Sequence, residues 1–283
     1  MNAIPGVPVP DGREPLAYLR AKRYRLKRHS GPAPLQPSAD QVEPRFLAVG
    51  DTGISVQFGI EIDPALNEAV TALDQAITAA DIPGIVETVP SFRSLLIVFE
   101  PAIADARTLV AHLRQLCRRA SRARRQAGRR WNLPVVYDPF GEDLAEVASL
   151  LGMPQAQVVG AHAAAEFRVY MLGFQPGLPN LGGLPPELRV SRRTSPRPPV
   201  PAGSVMIGGV QGAIMPMQTP TGLYMIGRTP VCLFDRRRPE PALLRAGDTV
   251  RFRPACPAEF AAIGDAVLAG HLDAGATLES ADA

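Results

Sequence analysis

Six side chains in this sequence combine a reactive or hydrogen-bonding type with a setting in which they could meet a ligand. His162 stands just ahead of a β-rich run that begins at Glu166. An imidazole exchanges protons near neutral pH, so it can serve as a general acid or base. The alternative is a histidine that holds a helix-to-strand junction by hydrogen bonds. Arg197 and Arg228 occur in Pro-Arg and Gly-Arg-Thr contexts, where a planar guanidinium can grip a carboxylate or phosphoryl oxygen through two hydrogen bonds. Their alternative is a rim salt bridge, to Asp235 for example. Gly227 and Thr229 beside Arg228 would let backbone approach a ligand. Gln211 can bind an amide or orient a water, or can close a turn after Gly208-Gly209-Val210. Ser204 has no nucleophile elbow around it, so its hydroxyl reads as a turn group or a substrate contact rather than a nucleophile. Tyr170 can offer its hydroxyl to a pocket, while like Phe174 it also suits a core.

These residues have to be positioned by Glu166–Asp235, where short Val, Ile, Leu, Met and Tyr runs alternate with Gly and Pro clusters. That pattern predicts a compact all-β unit with tight turns and no long helix. Upstream, residues 44–130 read as an α+β domain of order ββαββα. Arg45–Val49 and Ile54–Phe58 form a hairpin through Gly50-Asp51-Thr52-Gly53. Asp63-Pro64 is an N-cap followed by proline at the first helical position, and Leu66, Val70, Leu73 and Ile77 recur on one face of a helix ending near Ala80. Strands follow at Ile85–Val89 and Leu95–Phe99, then a second helix with Ile103, Leu109, Leu113 and Leu116 inward. Gly128–Asn132 is the expected joint. Residues 131–258 read as a mainly-β barrel domain with short helices. These helices are Asp143–Leu151, closed by Gly152, and one from Met153-Pro154 to about Gly160. Residues 259–283 supply a C-terminal helix and a frayed tail, and residues 1–43, rich in Pro, Gly and Ser, a flexible extension.

Composition excludes several classes. Three cysteines far apart and four scattered histidines give no spacing for zinc, so no metal is expected. The glycine pairs Gly182-Gly183 and Gly208-Gly209 lack the lysine or the helix-opening pattern of a phosphate loop, so no ATP site is placed on this chain. No apolar run reaches the roughly 18 residues of a membrane span, and a cytoplasmic location fits. The net charge is +3, with basic residues concentrated in Arg20–Arg28 and Arg114–Arg130. Without interleaved aromatics these suit solvated surfaces better than nucleic acid.

The order of motifs resembles one family. YMLGFQPG, LGGL, SPRPPVPAGSV, IGG with Gln211, Thr219-Pro220 and MIGRTP with LFD are similar to the KipI family, also called allophanate hydrolase subunit 1. RFLAVGDTGISVQFG, GIVETVPSFRSLLIVFEP, LPVVYDPFGEDL and AGDTVRFRP extend the resemblance from Arg45 to about Phe260. It implies an α+β N-terminal domain followed by a cyclophilin-like barrel, and a histidine at the spacing of His162. The implied activity is that of the B subunit of a 5-oxoprolinase. Such a protein is part of an assembly that opens 5-oxoproline to glutamate with ATP as co-substrate, beside a KipA-type subunit 2 and an A-type protein of the LamB/YcsF family. Other readings of the same resemblance are an inhibitor that docks on a histidine kinase, or a helper in urea or allophanate breakdown. The chain departs from the family pattern at Leu178, Asn180, Gly212, Met215 and Leu223, positions expected to line a pocket, where fewer aromatics would weaken stacking on a ligand.

Overall fold

The computed structural model describes residues 43–120 and 128–279. The expected extension, its basic run and part of the Arg114–Arg130 run lie outside these residues. The first part is a four-stranded antiparallel sheet, β1 (Arg45–Val49), β2 (Gly53–Gln57), β3 (Ile85–Pro90) and β4 (Ser94–Phe99), in the order β1-β2-β4-β3. Helices α1 (Pro64–Ala80) and α2 (Ala106–Ala120) share a core with it. Asp63 caps α1 by accepting from the N–H groups of Ala65 (2.8 Å) and Leu66 (3.2 Å), satisfying donors that the first turn leaves open. Ile54, Val56, Leu95 and Ile97 alternate inward and meet Val70, Leu73, Leu109 and Leu113, all nearly inaccessible. Two expectations shift. Ile103 precedes α2 and is 67% exposed, and Cys117 takes an inward position instead.

The second part is an eight-stranded mixed sheet. Its strands are β5 (Arg130–Val135), β6 (Glu166–Leu172), β7 (Pro179–Gly182), β9 (Ser204–Gly208), β10 (Gln211–Ile214), β12 (Tyr224–Arg228), β13 (Thr249–Pro254) and β14 (Thr277–Leu278), ordered β12-β9-β10-β7-β6-β13-β5-β14. A separate pair joins β8 (Arg197–Val200) to β11 (Thr219–Thr221). Beyond β5, Val136 exchanges two 2.9 Å backbone hydrogen bonds with Arg228, so the sheet curls back on its first strand. Helices α3 (Leu144–Leu151), α4 (Gln155–Ala164) and α5 (Pro257–Leu268) accompany it. Gly152 closes α3 at φ 65°, a left-handed conformation that glycine adopts without strain. Helix α4 runs past the expected Gly160 and carries His162 in its last turn. The tail is not frayed throughout: β14 pairs with β5, and Glu279 N–H reaches Arg130 O at 2.8 Å.

Nor is Gly128–Asn132 simply a joint, since Arg130–Asn132 already belong to β5 between β13 and β14. The connection is pinned instead by Asp248, 3% exposed. One carboxylate oxygen accepts from Arg129 N and Nε, both at 3.2 Å. The other accepts from Arg129 Nη2 at 2.6 Å, Trp131 Nε1 at 3.0 Å and Arg245 N at 2.9 Å. A second buried polar group, Asn67, ties α1 to the other parts. Its Nδ2 donates to Tyr170 O at 2.9 Å and Ser91 O at 3.3 Å, and its Oδ1 accepts from Arg168 Nε at 3.3 Å.

Replacing Asp248 leaves the indole N–H of Trp131 buried without an acceptor and removes the counter-charge of Arg129. Asp248→Ala is expected to cost about 3 kcal/mol in urea unfolding. An exposed acid such as Asp51 should cost under about 0.5 kcal/mol on substitution.

Candidate functional site

The structure sorts the six sequence candidates into two buried groups and an open rim. His162 is 1% exposed. Its ring stacks on Phe252 at 4.8 Å between centroids and lies 4.9 Å from Phe167, and its Nδ1 is 2.9 Å from the Tyr137 hydroxyl. Burial alone pushes its pKa from the ordinary 6.5 to about 3, so the ring is neutral near pH 7. This setting matches the junction-holding alternative for His162, between α4 and β6. Tyr170 is also buried. Its ring lies 5.5 Å from Phe92, and a Cβ on Gly182 would fall 1.6 Å from its Cε2, so only glycine fits beneath it. Burial raises its phenol pKa.

Arg197 belongs to an ion cluster. Its two terminal nitrogens contact Glu142 and Asp143, while Arg193 donates to Asp143 at 2.9 Å, contacts Glu146 and lies over the Tyr224 ring at 4.5 Å. Asp143 also accepts from Met225 N at 2.7 Å. The carboxylates holding Arg197 are therefore Glu142 and Asp143, whereas Asp235, the partner considered from sequence, binds Arg237 at 2.8 Å. Those hydrogen bonds from Arg237 hold the Asp235 carboxyl at about 2.

Arg228 differs. Its Nε donates to Ala202 O at 2.9 Å and its guanidinium lies 5.3 Å from the Phe260 ring, which packs on Phe140 at 4.7 Å. No acidic side chain among the described residues pairs with it, and partial burial lowers its pKa. A guanidinium this placed stays charged and has donors to spare for an anion. Ser204 is its neighbour across β9 and β12, fully buried, donating to Pro201 O at 2.7 Å as a turn hydroxyl. Gln211 sits at the other end of the β9–β10 hairpin, opposite Gly208 and so about 13 Å along the strand from Ser204. The structure thus pairs Arg228 with Ser204, places Gln211 at the far end of that hairpin, and holds Arg197, Tyr170 and His162 in contacts of their own.

The family departures also find a place. Leu178, Met215 and Leu223 pack with Val200, Met206, Ala213 and Met225 in one small apolar cluster, with Gly212 buried beside it on β10. Leu178 is only partly buried, and Asn180, half-buried, pairs with Ala213 across β7 and β10. Sequence reading passed over Asn67, Arg168 and Asp248; an asparagine three residues before Val70 on the inward face of α1 was the signal available.

The His162 setting predicts a pH effect on stability. Its folded pKa lies below the unfolded value, so the neutral ring stabilises the fold above about pH 6.5, and this is lost as pH falls toward 3. Between pH 7 and pH 5 the group should account for about 2 kcal/mol of lost unfolding free energy. His162→Asn, which does not titrate and can still meet the Tyr137 hydroxyl, should flatten that slope in urea titrations.

Comparison with known proteins agrees with the motif order. Residues 44–244 match the family described as "Carboxyltransferase domain, subdomain C and D". The 5-oxoprolinase B subunit of Bacillus subtilis (strain 168) is 36% identical over 219 residues, 72% of this chain and 90% of the relative. That of Escherichia coli O157:H7 is 38% identical over 211 residues, 74% of this chain and 95% of the relative. The crystal structure of TTHA0988 is 37% identical with a TM-score of 0.65 over 72% of this chain, which spans 40% of that longer chain. Urea carboxylase of Kluyveromyces lactis, 21% identical with a TM-score of 0.66, shares the fold over 87% of this chain and 24% of its own length. The chain belongs to the carboxyltransferase subdomain C and D family, and within it to the proteins like the 5-oxoprolinase B subunit.

Proposed function

We propose that this chain is the B subunit of a 5-oxoprolinase assembly, opening the lactam of 5-oxoproline to glutamate with ATP as co-substrate. The observation that carries the reading is the match to proteins named as the B subunit of 5-oxoprolinase across 90% and 95% of their own lengths. The partners are a KipA-type subunit 2 and an A-type protein of the LamB/YcsF family, and the curled sheet is of the cyclophilin-like class. The matching part of TTHA0988 is 40% of that chain, which fits a fold that works beside further protein. No helix among the described residues is long and apolar enough to cross a membrane, which suits a cytoplasmic assembly.

Arg228 is the residue of this chain best placed to meet substrate. 5-Oxoproline carries a carboxylate, and a half-buried guanidinium with no acidic partner among the described residues gains most from such a partner. Proton transfer at the lactam nitrogen falls to a partner protein, because His162 is enclosed and holds its neutral form. The rim of the sheet around Arg228, Ala202 and Phe260 is then one wall of a site completed on assembly.

Co-expression with the two partner proteins should yield a stable complex that releases glutamate from 5-oxoproline only with ATP. Arg228→Met should lower that rate about 10- to 100-fold while its melting temperature stays within about 3 °C of the parent. A complete, stable complex without ATP-dependent glutamate release would refute the proposal.

A further inference from the structure

A cleft of about 520 Å³ separates α1 from the sheet, and three arginines border it: Arg129, Arg168 and Arg245. Their pairing decides what the cleft can hold. Arg129 is spent on Asp248 and on Leu243 O at 3.0 Å. Arg245 contacts Glu240. Arg168 is only partly engaged: Nε donates to Asn67, Nη1 lies 3.7 Å from Glu68, beyond hydrogen-bond reach, and Nη2 has no protein acceptor among the described residues.

The floor beside that free edge is Gly247, at φ +91°. A Cβ there would stand 3.5 Å from Thr71 Cγ2 and 3.9 Å from Arg168 Nη2, so the missing side chain keeps room open at the guanidinium. Ala72 and the Gln75 amide form the facing wall on α1.

We propose that this cleft binds a small carboxylate-bearing molecule, with its carboxylate on the terminal nitrogens of Arg168 and a polar group toward Gln75. One open guanidinium flanked by Glu68 suits a single negative charge. A planar carboxylate matches the open edge of the guanidinium with two parallel hydrogen bonds, whereas a tetrahedral phosphate presents only part of its oxygens to one edge. The site lies between α1 and β6, apart from the rim at Arg228, and does not rest on the oxoprolinase reading.

The test is titration calorimetry on the full chain alone at low salt, with glutamate, 5-oxoproline and inorganic phosphate as probes. At least one carboxylate should bind saturably and more tightly than phosphate. Arg168→Met, and separately Ala72→Leu, which fills the cleft without altering a charge, should each weaken that binding by about tenfold or more. Circular dichroism confirms that each variant is folded. Absence of saturable carboxylate binding, tighter binding of phosphate, or unchanged binding in a folded variant of either kind would overturn the assignment. Because binding is read on the single chain and turnover on the assembled complex, each can fail without the other.

Discussion

A buried carboxylate holds this protein's parts in register. Asp248 is almost inaccessible, and a charge in that position is tolerable only because every lone pair is met by a donor. Its donors come from the start of β5, from Trp131 within that strand, and from the turn that leads into β13. The β5–β13 pair is the only parallel one in the sheet among the described residues. Parallel strands need a long connection between them, and here the connection spans most of the second part. Asp248 clamps together the entrances of these two parallel strands, while at the far end of β5 Val136 meets Arg228.

The polar atoms of Asn67 serve the same purpose at the other seam. A helix facing a sheet through apolar side chains alone can slide by a turn at modest cost. One amide giving hydrogen bonds to Tyr170 O and Ser91 O fixes a single position of α1. Leaving either carbonyl unmet in a buried place would cost roughly 1–3 kcal/mol. Arg168 completes the set by donating to the same amide, and it also borders the neighbouring cleft.

Much of this was legible from local chemistry. The α1 boundaries follow from Asp63-Pro64 and from the 3.6-residue recurrence of its apolar side chains, and the hairpins follow from glycine placement. These signals act over a few residues, so a sequence displays them directly. Pairings between distant residues have no such local sign. Nothing near Arg197 announces Asp143, 54 positions away, and nothing near Asp248 announces Arg129, 119 positions away. For that reason the side chains were chosen for their chemistry one by one, and their grouping was not legible. His162 shows the limit well: proton exchange depends on solvent and partners, and three aromatic rings packed around the imidazole decide its state.

The arginines make the general point. Residue type and a Gly/Pro setting suggested anion binding for both Arg197 and Arg228, with Gly227 and Thr229 favouring the latter, and would not have selected Arg168 at all. Pairing separates them. Two carboxylates neutralise Arg197, so an anion there would have to displace Glu142 or Asp143, losing about as much as it gained. Arg228 and Arg168 hold one hydrogen bond each through Nε, which orients the guanidinium; among the described residues Arg228 has no acidic partner, and Arg168 has only the loose Glu68 pair at 3.7 Å. Orientation by the protein lowers the entropy lost on binding, while the unmet charge supplies the attraction. A preoriented guanidinium that keeps donors to spare is therefore a better marker of a binding site in this fold than the motif in which an arginine stands.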